Sequence, residues 1–169
     1  MKKIIPLFFL IFCVLSCDNN RKSGKDSLNN PDSSSVTKLQ ETVYDSILAK
    51  KYGSDEYGMK KYIFAYLKKG SNRSQDSATI AEIQKGHMAN INRLADEGKL
   101  ILAGPFFDDT EIRGIFIFNV ETIEEAKALI NTDPAVKTGR LSMELHPWYG
   151  SAALMEVNAL HKKISKKNP

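Results

Sequence analysis

Past residue 17 the chain has no cysteine; the two it carries, Cys13 and Cys17, both stand at its start. The folded part therefore has no disulfide framework, no thiol nucleophile and no cysteine-type metal site. Histidine is scarce too: there are three, His87, His146 and His161, in no H-x-x-H or H-E-x-x-H spacing. His87, His146, Asp133 and Glu144 carry suitable donor atoms, but without such a spacing no metal ion is assigned. No G-x-S-x-G elbow sets up a serine nucleophile, and no cofactor is called for. Charge of one sign is also lacking. The formal charge is +4, and without Lys2 and Lys3, which lie in a segment read below as removed, the side chains carry +2. With its basic residues scattered except at the tail, the chain is not a nucleic-acid binder by composition.

What is present begins with an export signal. Lys2-Lys3 precedes an apolar run from Ile4 to Leu15, too short to span a bilayer comfortably. Val14-Leu15-Ser16-Cys17 resembles a bacterial lipobox, in which the cysteine thiol is acylated and the chain is cut ahead of it. Acyl chains at ~0.8 kcal/mol per buried CH₂ would hold a soluble domain on a membrane. The expected location is the bacterial cell envelope, lipid-anchored after export through Cys17. An ordinary signal peptide with an incidental cysteine is the alternative. The basic tail with Lys162, Lys163, Lys166 and Lys167 reads as a solvated end, with contact to anionic lipid as the other reading.

Four segments follow from the composition: residues 1–16 as lipoprotein signal peptide, 17–58 as lipidated tether with a short amphipathic helix, 59–150 as the domain, and 151–169 as C-terminal helix and basic tail. About 100 residues remain for the folded part, enough for one compact domain and no second catalytic one. In the tether, Asp18 to Ser35 has one large apolar residue, Leu28, too few to offset the entropy of ordering. Val36, Leu39, Val43 and Ile47 then recur at helical spacing behind Thr37-x-x-Gln40, which predicts a helix from about Thr37 to Lys51.

Within the domain, Lys61–Leu67 reads as a strand apolar on both faces. A polar loop with Gly70, Asn72 and Ser74 leads to a helix over Ile80–Glu97, with Thr79-x-x-Glu82 as capping box and Gly98 as left-handed C-cap. Lys99–Ala103 is a second two-faced strand, stopped by Gly104-Pro105. Phe106 and Phe107 in the following turn are expected to cover apolar surface, and Asp108 and Asp109 are turn residues. Arg113–Val120 is a third strand, Thr122-x-x-Glu125 caps a helix over Ile123–Asn131, and Asp133-Pro134 opens a turn or short helix. Leu141, Met143 and Leu145 alternate with polar residues in a fourth strand, and Ser151–Ile164 is helix-compatible. The order strand, helix, strand, strand, helix, strand is that of the ferredoxin-like βαββαβ fold, α+β in class. Both helices of such a fold lie on one sheet face, so three strands apolar on both faces need a second cover. A second copy of the chain provides it most simply, giving a homodimer; the N-terminal helix is the rival.

His87 stands out. It occupies the apolar stripe of its helix, seven residues after Ile80 and four before Ile91, and so points at the sheet. An imidazole in an apolar wall with a carboxylate beside it suits general acid–base work. Asp133 is the candidate carboxylate, able to fix the ring's tautomer in the manner of a catalytic dyad without its nucleophile. Both have ordinary roles as well: a satisfied core histidine, and an N-cap ahead of a proline at the first helical position. Gly104, Pro105, Arg113 and His146 are candidates to bind the substrate. Arg113 and Arg140 suit an anion, although strand-end arginines are commonly solvated or ion-paired, and His146 equally suits an interface. Trp148 and Tyr149 are read as packing over a barrel end or a seam between subunits.

Taken together, GHMANINRLADEGK with His87, the LILAGP strand end, Gly114, IEEAKALINTDP with Asp133, Gly139 and the closing LHPW resemble the YCII-related (YciI-like) domain family, over Met59 to Trp148. The resemblance implies a ferredoxin-like dimeric α/β barrel with a His and Asp site, falling here on His87 and Asp133. Proton transfer on a small molecule, in lyase, isomerase or hydrolase-like chemistry, is the expected activity; a non-catalytic ligand-binding or interaction lipoprotein is the alternative.

Overall fold

The computed structural model describes residues 43–167. The signal segment, Cys17, most of the tether and the Thr37-x-x-Gln40 pattern lie outside these residues. The elements are α1 (Ser46–Tyr52), β1 (Met59–Lys69), α2 (Ser77–Asp96), β2 (Leu100–Pro105), β3 (Ile112–Phe118), α3 (Ile123–Ile130), α4 (Pro134–Lys137), β4 (Leu141–Ser151), a 3-10 segment (Ala152–Glu156) and α5 (Val157–Ile164). The strands form one antiparallel sheet in the order β2-β3-β1-β4. With the βαββαβ sequence of elements, that order is the ferredoxin-like topology expected from the sequence. No helix among the described residues is long and apolar enough to cross a membrane.

Alternation along β1 divides the core in two. Ile63, Ala65 and Leu67 point to the helices and join Phe116 and Phe118 of β3, Leu94 of α2, and Ala126 and Ile130 of α3. Tyr62, Phe64 and Tyr66 point the other way. A register shift between Leu100 and Leu102 turns two consecutive residues, Ile101 and Leu102, to the second face, while Leu100 stays in the helix-side core. The second cluster, Tyr62, Ile101 and Ile117, is roofed by Leu154 and Met155 of the 3-10 segment. The C-terminal segment, then, and not the N-terminal helix, is the intramolecular cover of that face. Its continuation α5 runs along the β2 edge, where the Asn158 amide donates to the Leu100 carbonyl at 2.8 Å and Lys162 pairs with Asp96 at 2.8 Å, occupying an edge that would otherwise present unpaired backbone.

Several boundaries differ from the sequence reading. The first helix begins only at Ser46, where Asp45 accepts hydrogen bonds from the N–H groups of Ile47 and Leu48; no residue of it is buried, and Val43 and Ile47 are exposed. The cap of α2 is Asp76, which accepts from the Thr79 N–H at 2.9 Å, so the helix starts a turn ahead of the expected Thr79 box. Carboxylates are the stronger acceptors at a helix N-terminus, because they also meet the helix dipole. At the other end Gly98 does adopt the left-handed conformation, with φ of 67°. β2 ends at Pro105, as the Gly104-Pro105 stop predicts, whereas β4 runs through Pro147, tolerated because that strand lies at a sheet edge. Phe107 is fully exposed and covers nothing, and Phe106 is 43% exposed.

The caps make the fold sensitive to acid. The N–H of Thr79 holds the Asp76 carboxyl below its usual range, and those of Glu121 and Thr122 do the same for Glu125 in the α3 capping box. A carboxylate depressed in this way stabilises the fold above its unfolded pKa of about 4 and loses that contribution as pH falls through the lower folded value. Urea midpoints are expected to drop between ~pH 4.5 and ~pH 2.5, less steeply in the Asp76→Asn, Glu125→Gln double variant. Equal slopes would show that the caps do not carry the acid response.

Candidate functional site

His87 enters the interior on α2 and meets Asp133 from the turn before α4. The residue before the histidine allows the approach: a Cβ on Gly86 would lie 2.9 Å from Cγ of Pro134. Only a glycine there lets the first turn of α4 come against α2. Asp133 is then fixed by its own helix, since Oδ1 accepts from the Ala135 N–H at 2.8 Å as an N-cap. Its other oxygen, Oδ2, stands 2.6 Å from Nδ1 of His87. The carboxylate thus divides its two oxygens between its own helix and the imidazole.

Both residues are buried, Asp133 at 1% exposure and His87 at 8%. A carboxylate so buried must be hydrogen-bonded, and both of its oxygens are. The imidazole ring stacks on Phe116, with centroids 6.0 Å apart and planes 14° from parallel. With Asp133 accepting from Nδ1–H, the ring presents Nε2 as an unprotonated nitrogen when neutral. Nε2 has no hydrogen-bond partner among the described residues and is not sealed from solvent. One turn further along α2, the buried Asn90 accepts from Arg93 at 2.8 Å and from the hydroxyl of Thr132 at 2.9 Å. That clip ties the residue before Asp133 to the helix that carries His87.

In front of the imidazole lies a cavity of about 460 Å³. Leu67, Ile83, Ile91, Phe116 and Leu141 give it an apolar floor, and Gln84, Met88 and three arginines, Arg73, Arg113 and Arg140, form its mouth. Of the residues singled out in the sequence, His87, Gly104, Pro105 and Arg113 line this space, and Asp133 stands behind His87. Gly104 and Pro105 contribute the end of β2, which Gly114 of β3 approaches so closely that a Cβ there would lie 2.4 Å from the Gly104 carbonyl oxygen. Arg113 is held by Asp109 at 2.9 Å and by the Asp108 carbonyl at 3.2 Å.

His146 is not part of the cavity. It pairs with Phe64 across the sheet and so faces the side opposite the helices, its Nε2 3.0 Å from Glu144 and its ring 5.9 Å from that of Tyr66. Strand parity decides this, because residue 146 shares a face with Glu144 while Leu145 faces the helices. Trp148 lies on the same outer face over Tyr62 and Phe64, at 5.8 and 6.2 Å, and Tyr149 hydrogen-bonds Asp55. Arg73 escaped the sequence reading because it sits in a polar loop with no periodicity. Topology could have placed it: β1 and β4 are antiparallel neighbours, so the loop leaving β1 must run beside the turn entering β4. Gly70 N–H indeed donates to the Arg140 carbonyl at 2.9 Å. No group of three or more histidine, cysteine or acidic side chains gathers as a metal site among the described residues.

The chain is similar to several known proteins. The family model of the YCII-related domain matches residues 59–149. The uncharacterised protein YjpA of Bacillus subtilis (strain 168) is 32% identical over 63 residues, which make up 37% of this chain and 72% of that protein. Among solved structures, the chain is similar to the 5-chloro-2-hydroxyhydroquinone dehydrochlorinase TftG of Burkholderia phenoliruptrix AC1100, solved in complex with 2,5-dihydroxybenzoquinone. That likeness has 21% identity and a TM-score of 0.38, over 51% of this chain and 92% of that one.

The two roles of Asp133 separate by substitution. Asp133→Ala removes the cap, worth about 1 kcal/mol, and leaves a buried imidazole N–H unpaired, worth about 1–3 kcal/mol. A loss of about 2–4 kcal/mol is expected in urea unfolding. Asp133→Asn keeps an acceptor for Ala135 and is expected to lose less. Equal losses would deny the carboxylate its double role.

Proposed function

This chain belongs to the YCII-related domain family, and from that footing we propose that it is a lipid-anchored enzyme of the bacterial cell envelope that moves a proton on a small molecule. The observation that carries the reading is the contact of His87 Nδ1 with Asp133 Oδ2 at 2.6 Å, with the other ring nitrogen left to a 460 Å³ cavity. A base oriented by a carboxylate and facing a cavity meets the geometric demand of general acid–base catalysis. Nε2 takes a proton from a carbon or a water in the cavity, and the imidazolium that forms is stabilised by its contact with the Asp133 carboxyl group. The same nitrogen returns the proton to the product or to a leaving group, so no net proton is gained. The cavity offers no serine, cysteine or lysine among its described lining residues, which favours lyase, isomerase or hydrolytic addition over acyl transfer. Pro105 and Gly104 would bound the substrate at the β2 end.

One observation favours a second reading, a binding protein without turnover. The described lining residues hold one imidazole, His87, and no carboxylate, thiol or phenol beside it, and many proton transfers use two acid–base groups. Profiling a metabolite extract with the full chain separates the readings. Wild type is expected to deplete a compound, and His87→Ala to do so about 10²–10⁴-fold more slowly. Unchanged depletion in the variant removes His87 from the chemistry, and retention of a compound without conversion by either form makes the protein a binder.

The assembly proposed is a two-fold homodimer. Its support is the outer sheet face, where the C-terminal segment covers only Tyr62 and its neighbours, leaving Phe64 and Tyr66 half-buried and Trp148 37% exposed. Aromatic side chains at the centre of an open apolar face are those that dominate subunit interfaces. Light scattering on the full chain is expected to return twice the monomer mass, and a folded monomer contradicts the dimer. Anchoring through Cys17 predicts palmitate incorporation that disappears in Cys17→Ala; equal labelling of both forms contradicts it.

A further inference from the structure

Resting on the reading that this cavity receives the substrate of His87, we infer that the substrate is an organic carboxylate with an apolar body, held by Arg73 and Arg140. The two guanidinium groups reach the cavity from different loops, Arg73 from the segment after β1 and Arg140 from the turn before β4. They are braced by neutral acceptors: Nη1 of Arg73 donates to the Arg140 carbonyl at 3.2 Å, and Nη1 of Arg140 to Oε1 of Gln75 at 3.4 Å. Among the described residues neither forms a salt bridge, whereas Arg113 on the same rim is neutralised by Asp109 at 2.9 Å. The described lining contains no aspartate or glutamate, and the nearby Asp133 has both oxygens committed, one to His87 and one to Ala135.

Two uncompensated cations thus face an apolar floor containing Phe116 and Ile83. Guanidinium groups match planar oxyanions through paired N–H donors and are weakly hydrated, so they hold a carboxylate at the edge of an apolar site at low desolvation cost. Each also has donors beyond the one used for bracing. The floor selects the rest of the ligand. A fully hydrated inorganic anion would gain from the arginines but leave the apolar wall wet, whereas an aryl or short alkyl carboxylate covers both. The arginines at the mouth and His87 deeper in the cavity would place the carboxylate outward and the reacting atoms of the body beside Nε2.

The test uses the full chain and measures dissociation constants by calorimetry for benzoate, for the neutral isostere benzamide and for inorganic phosphate. Benzoate is expected to bind, benzamide at least tenfold more weakly. Arg73→Gln and Arg140→Gln are each expected to raise the benzoate constant tenfold or more, and Arg73→Lys and Arg140→Lys, which keep the charge and lose the fork, to fall between. The lysine variants also guard against a glutamine variant that does not fold. Benzamide binding as tightly as benzoate, glutamine variants binding like wild type, or phosphate binding where benzoate does not, each overturns the inference. His87→Gln separates it from the catalytic reading. Benzoate bound normally by that variant, with no turnover by wild type on any compound, retains the carboxylate site while the acid–base role fails. Turnover of a neutral compound unaffected by Arg73→Gln and Arg140→Gln does the reverse.

Discussion

The structure of the site depends on one buried hydrogen bond, from the imidazole of His87 to the carboxylate of Asp133. Two elements far apart in sequence must be held to within tenths of an ångström for it to form, and the surroundings serve that end. Gly86 removes the side chain that would push α4 away from α2. The short helix α4 fixes the carboxylate through its own N-terminal N–H, and Asn90, Arg93 and Thr132 fasten the segment just ahead of it. An unpaired group at either position would be costly in so dry a setting. The pair is therefore a constraint on the fold, with His87 a satisfied core histidine and Asp133 an N-cap, and the proposed acid–base role uses the same contact.

The sheet shows how a small domain divides its apolar surface. Its helix side is closed by α2 and α3, with Phe116 reaching from the core to the ring of His87. Its outer side is closed only where the C-terminal segment crosses. The segment leaves β4, crosses that face through the 3-10 residues and then reaches the β2 edge with α5, so one stretch of chain covers part of a face and an edge. The rest, with Phe64, Tyr66, His146 and Trp148, lies away from the cavity, so assembly through it would leave access to His87 open.

Much of this was legible in the sequence, for reasons that differ from element to element. Two-residue alternation and the order of the elements gave the topology, because long range pairing in a four-stranded sheet of this kind has few options. Helical periodicity placed His87 inward, and the Asp-Pro step placed Asp133 at a helix start. Other features were lost because they depend on competition between local signals. Asp76 caps α2 although Thr79 and Glu82 offered a plausible box three residues later, since a carboxylate is the better acceptor. The stripe containing Val43 and Ile47 has helical spacing but no surface to bury against. Arg73 belongs to a loop, where chemistry is positioned by the strands on either side and leaves no periodic trace. His146 alternates with Leu145 along β4, so the pleat that turns Leu145 to the helices turns His146 to the other face.

The central claim is that Asp133 holds His87 with a proton on Nδ1 and a free Nε2 toward the cavity. The direct measurement is two-dimensional ¹⁵N–¹H NMR of the imidazole nitrogens in protein labelled at histidine, at a pH where the ring is neutral. The account predicts the Nδ1–H tautomer for His87, with a pyridine-like Nε2, and loss of that preference in Asp133→Ala. An Nε2–H tautomer in the wild type, or the same tautomer balance with and without the carboxylate, would contradict it.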